Sequence, residues 1–130
     1  MTTKVKQSHS EQQAQAQFKS IKEMVEGLHS KDETKREDAV QTIQEDPLSV
    51  EVRSGWHTPG QAEPEIAEYM ILLCTGGPAC RIIGTLGRFN EPDSAHIEHQ
   101  DWGTPWTEYR LDSEEENIVL EYVRQFYFGD

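Results

Sequence analysis

Apolar side chains recur along this chain with two different periods, and the change from one to the other falls at Asp46-Pro47. Before it, Phe18, Ile21, Val25 and Leu28 stand three or four residues apart, the spacing of one helical face, which predicts a helix over residues 14–28. Gly27 and His29-Ser30 read as a break. Ser30 with Glu33 fits a capping box, so a second helix is expected from there to Glu45, with Ala39, Val40 and Ile43 inward. Pro47 lacks the N–H that a continuing helix would need and ends it. Residues 1–13 carry no periodicity and are expected to form a disordered tail.

After Pro47 the period becomes two. Leu48, Val50 and Val52 alternate with Ser49, Glu51 and Arg53, the pattern of a half-buried strand. A loop rich in Gly, Pro and Glu follows over residues 55–65. Two strong strands come next, 66–74 and 80–86, joined as a hairpin by Thr75-Gly76-Gly77-Pro78-Ala79. Tyr69 to Leu73 are apolar at every position, which predicts a strand covered on both faces. Beyond a turn at 88–93, a strand is expected over 94–100 and another over 106–111. Ser113 with Glu116 marks the start of a terminal helix whose apolar face holds Ile118, Val119, Tyr122, Val123, Phe126 and Tyr127. The implied fold class is α+β: N-terminal helices, an antiparallel meander of four to five strands, and a C-terminal amphipathic helix packed on the sheet. The expected organisation is a tail (1–13), a helical segment (14–46) and an acidic α+β domain (47–130).

Charge sharpens this picture. Every lysine lies at or before Lys35, and from Asp46 onward sixteen carboxylates face five arginines, a balance of −11 within a total of −12. A pI near 4.7 argues against direct binding to DNA, RNA or anionic lipid, which require basic patches, and favours attraction to a basic surface. No apolar segment resembles a signal peptide or reaches membrane-spanning length, so the expected address is cytoplasmic and Cys74 and Cys80 are expected to be reduced thiols.

Candidate chemistry is sparse. Cys74, Cys80, His96 and His99 include the ligand types of a zinc site, but the cysteine spacing is too long for a knuckle. On one strand His96 and His99 would also point to opposite faces. Thr75 to Ala79 lacks the lysine and the following helix of a phosphate-binding loop. The reading therefore assigns no catalytic residue, no metal and no cofactor. A second reading keeps a small enzyme or metal protein open, with His57, His99, Asp101 and Cys74 in a pocket. A third is an oligomerisation module in which the terminal aromatic helix packs on a copy of itself.

Two features point to a protein partner instead. Gln100 to Trp106 brackets Gly-Thr-Pro with two indoles, and tryptophan is enriched at interface hot spots. Carboxylates cluster in the last third of the chain. The expected partner-binding set is Glu98, Asp101, Trp102, Trp106, Glu108, Asp112, Glu114, Glu115, Glu116 and Glu121, presented as one continuous negative surface.

The phrases SVEVRSGWHTPG, EYMILLCTGGPACRIIGTL and QDWGTPWTEY resemble segments of uncharacterised small proteins carried by phages, plasmids and integrated bacterial elements. The resemblance covers the chain from about Leu48 to its C-terminus and carries no active-site residues with it. It implies a mobile-element accessory protein. In style alone the chain is also similar to small acidic anti-CRISPR proteins, some of which mimic nucleic acid. The expected partner is then a basic surface of a host protein or nucleoprotein complex, blocked at its nucleic-acid-binding groove.

Overall fold

The computed structural model describes residues 8–62 and 65–129. Among these residues three α-helices and five strands follow in the order α1 (His9–Leu28), α2 (Glu33–Glu45), β1 (Ser49–Ser54), β2 (Ile66–Cys74), β3 (Ala79–Thr85), β4 (His96–Gln100), β5 (Thr107–Tyr109) and α3 (Ser113–Val123). The strands form one antiparallel sheet in sequential order, β1-β2-β3-β4-β5, so each connection is a local hairpin or loop. This is the α+β meander with flanking helices that the periodicity predicts.

The described helices lie on one face of the sheet. α1 crosses β3, β4 and β5 and packs against both α2 and α3. The inward positions of the strands, Tyr69, Ile71, Leu73, Cys80, Ile82 and Ile97, join Ile21, Val25 and Ile43 from the helical hairpin and Val119, Tyr122 and Val123 from α3 in a single core. The helical segment and the sheet therefore share one hydrophobic core.

Several expectations shift by physical causes the pattern does not display. α1 begins at His9, inside the stretch expected to be a disordered tail, because Ser8 caps it by accepting from the Glu11 N–H and Ser10 is buried against β4. Residues 1–7 of that stretch lie outside the described residues. α2 is capped by Asp32, whose carboxylate takes the Thr34 N–H, and Ser30 instead accepts from the Asp32 N–H. The third helix has a capping box one residue earlier than predicted, between Asp112 and Glu115, which frees Glu116 to accept the Ala95 N–H at 3.2 Å. α3 also stops at Val123. Tyr127 is exposed, and Phe128 takes the buried place expected of it, its ring 5.1 Å from that of Tyr69.

Two strands depart from the expected burial. β2 is buried on its odd positions alone, where Tyr69, Ile71 and Leu73 join the core; Met70 and Leu72, on the other face, are only half-buried. β1 lies beyond the reach of the helix layer, so Val50 and Val52 stay exposed although they point to its side.

Candidate functional site

The uncovered face of the sheet is built by alternation and register. Pairing sets Glu51 opposite Met70, Arg53 opposite Glu68, Met70 opposite Ile83, Leu72 opposite Arg81, Arg81 opposite Glu98, Ile83 opposite His96 and Glu98 opposite Glu108. Side chains at paired positions share a face, so all of these project away from the helices. Between them runs an open groove of about 460 Å³, with Met70 and Ile83 as its apolar floor and Arg53, Glu68, Arg81 and His96 among its walls.

Arg81 organises the centre of this face. Its Nε and Nη2 lie 2.8 and 2.7 Å from one oxygen of Glu98, and its Nη1 donates to the Met70 sulfur at 3.4 Å. The guanidinium stands over the Trp106 ring, 4.1 Å from its centroid, a cation–π stack that also shields the ion pair from water. A second pair, Arg53 with Glu68, closes the β1 side. His96 Nδ1 lies 3.3 Å from Glu108 on the β4–β5 side. Both arginines of the face are thus neutralised within it, whereas Glu51 and Glu108 have no arginine partner among the described residues.

The acids expected to form one surface divide into separate groups. Glu98 and Glu108 lie on the uncovered sheet face. Asp112, Glu114, Glu115 and Glu116 start α3, which packs on the opposite face of the sheet; of these Asp112 and Glu115 form the cap and Glu116 holds the β4 entry. Glu121 accepts from His29 Nε2 at 2.7 Å, or pairs with it as an ion when the ring is protonated. Asp101 points to the N-terminus of α1. The indoles divide likewise. Trp106 belongs to the Arg81 stack and is half-buried, while Trp102 is 85% exposed and donates its N–H to the Gly76 carbonyl at 3.0 Å.

Asp101 belongs to a buried polar trio that sequence spacing does not suggest, since Ser10 is 91 residues away. Its two oxygens accept from the Ser10 N–H and hydroxyl, both at 3.0 Å, and Ser10 Oγ lies 2.8 Å from His99 Nδ1. A hydroxyl has one proton. With that proton on the acceptor-only carboxylate, His99 must donate Nδ1–H to the serine oxygen. Nucleophilic catalysis needs the reverse, an imidazole that accepts the serine proton. Ser10 is 2% and His99 7% exposed, and the trio ties the first turn of α1 to β4.

The cysteines sit opposite one another across the β2–β3 hairpin as free thiols. Burial pushes the Cys80 thiol up to about 12, with Cys74 beside it adding to the shift, and burial raises Cys74 as well. A thiol held protonated is a poor nucleophile. His57 is exposed in the β1–β2 loop, in a different region from buried His99. Among the described residues no group of three or more His, Cys, Asp or Glu is arranged to hold a metal ion, and no helix is long and apolar enough to cross a membrane.

No protein-family model, curated protein or solved structure matches this chain.

Sequence reasoning missed Arg81, Met70, Ile83, His96 and Ser10 as members of polar or surface networks. The alternation within β3, with Arg81 between Cys80 and Ile82, held the signal: a charged residue amid apolar ones marks the outward face, and Met70 follows once the hairpin register is known.

Proposed function

We propose that this protein is a non-catalytic binding protein that engages a basic protein surface with the uncovered face of its sheet. The observation that carries this reading is the charge state of that face: Arg53 and Arg81 are already paired with Glu68 and Glu98, so Glu51 and Glu108 remain to attract cations. The half-buried Met70 and Ile83 offer apolar area in the groove between them. Complementary potential speeds encounter and makes affinity fall with salt.

The resemblance of the chain to small proteins of mobile elements favours a particular partner, the nucleic-acid-binding groove of a host defence complex. Carboxylates would there occupy places otherwise taken by phosphates. Capture from a bacterial lysate at low and high salt, followed by competition of the captured protein with duplex DNA and with RNA, tests this. The expected result is a nucleic-acid-binding protein released by salt and by nucleic acid, and held more weakly by Glu108→Lys. Capture indifferent to salt, to nucleic acid and to Glu108→Lys overturns it.

A further inference from the structure

Among the described residues β1 is the terminal strand of the sheet and pairs on one side only, with β2. Unpaired strand edges recruit other strands, and proteins commonly blunt them with proline, lysine or cover from another element. Ser49–Ser54 contains neither proline nor lysine. Its helix-side face is also bare: Leu48 is 59%, Val50 36% and Val52 40% exposed, and Trp56, two residues past the strand, is fully exposed. Three alternating apolar residues with an inward orientation and no described residue covering them form a strand pattern open to a neighbour.

We infer that β1 pairs with β1 of a second copy of this chain about a two-fold axis through Val52, joining two sheets edge to edge. The strand's own sequence selects that register. In a two-fold antiparallel pair, residues facing each other across the axis carry side chains on the same face, so the axis must pass through a residue. Centred on Glu51 it sets two carboxylates against each other, and centred on Arg53 two guanidinium groups; centred on Val50 it sets Glu51 against Ser49. Centred on Val52 it sets Glu51 of each copy against Arg53 of the other, twice. Opposite charges directly across a pair stabilise it and like charges do the reverse. The same register brings Val52 against its own copy, Val50 diagonally onto Val52, and Leu48 opposite the position of Trp56, so the exposed apolar residues at this edge meet one another. Arg53 then lies between Glu68 of its own chain and Glu51 of the other, so in the dimer Glu51 is paired and Glu108 is the acid left to attract cations on each uncovered face.

Substitutions at the two charged positions test the register itself. Light scattering and sedimentation across micromolar to millimolar concentrations should show a monomer–dimer equilibrium for the parent chain. Glu51→Arg and Arg53→Glu each create two like-charge pairs and should weaken self-association roughly tenfold or more. Mixed in equal amounts, however, the two variants restore opposite charges at both positions and should form a mixed dimer as tight as the parent. Val52→Lys places two ammonium groups on the axis and should abolish pairing; a circular dichroism spectrum like the parent's shows that the fold is kept. A parent chain monomeric throughout the range overturns the inference, as does a mixture that associates no better than its two components.

Discussion

Tyr69 and Gly84 face each other across the β2–β3 ladder, and the tyrosine ring occupies the space a side chain at 84 would need. A β-carbon there would lie 2.6 Å from the tyrosine hydroxyl and 2.0 Å from the Ser94 carbonyl, which that hydroxyl contacts at 2.7 Å. The glycine is required by close approach, since backbone cannot yield as a flexible side chain can. Gly84→Ala should therefore destabilise the fold by about 1–3 kcal/mol or more, the range of overpacking. Tyr69→Phe removes only the hydrogen bond and should cost about 1 kcal/mol. Urea unfolding midpoints of the two variants separate the effects.

The Ser10–His99–Asp101 trio makes a different demand. Ser10→Ala leaves a buried imidazole N–H and a carboxylate oxygen without their partner, and an unsatisfied buried group costs about 1–3 kcal/mol. The loss should be local. Hydrogen exchange should speed up in the first turns of α1, from His9 to about Gln13, while amides of β2 and β3 keep their protection relative to global stability. Uniform loss of protection across the chain would contradict a tether confined to the helix start.

Period and turn chemistry carried the architecture because the meander is local: each strand pairs with its sequence neighbour, so order follows from element type. Burial was less legible. The apolar run Tyr69–Leu73 looks alike on both faces, and only the packing of the shared core against one face of the sheet decides that Ile71 is buried while Leu72 is half-buried. Caps slipped by one or two residues because Ser and Asp compete for the same role, and the side chain of Asp32 or Asp112 takes the helix N–H in place of the nearby Ser30 or Ser113. The acidic cluster was legible as charge and illegible as a surface, since sequence cannot show that Asp112, Glu115 and Glu116 are occupied by backbone N–H groups. The Ser10 tether depends on a contact spanning most of the chain, which no local pattern encodes.

That division of labour among the acids is measurable. Asp112→Ala removes the N-cap and half of the capping box and should cost about 0.5–2 kcal/mol of stability. Glu114→Gln, one position into the same turn but outside the box, should change stability by no more than about 0.5 kcal/mol. Thermal melting of both variants distinguishes cap from bystander. Equal effects would mean that charge near the helix dipole, rather than the cap hydrogen bonds, holds this end.

Alkaline pH should weaken the fold. Cys80 is driven up from 9.0 to about 12 by burial, and burial raises Tyr69 and Tyr122 also, the latter aided by its hydrogen bond to Asp46. In each case the folded chain holds the proton more tightly than the unfolded chain. The stability linked to Cys80 is therefore complete below pH 9.0 and is lost as pH rises toward about 12, because the unfolded chain releases that proton first. Unfolding free energies measured across this interval should decline steadily. Cys80→Ala lowers stability at neutral pH by leaving a small gap, yet it should flatten the alkaline decline, with the tyrosines accounting for what remains. An unchanged slope in that variant would show that Cys80 titrates as an exposed thiol, which its position in the core beneath α1 does not allow.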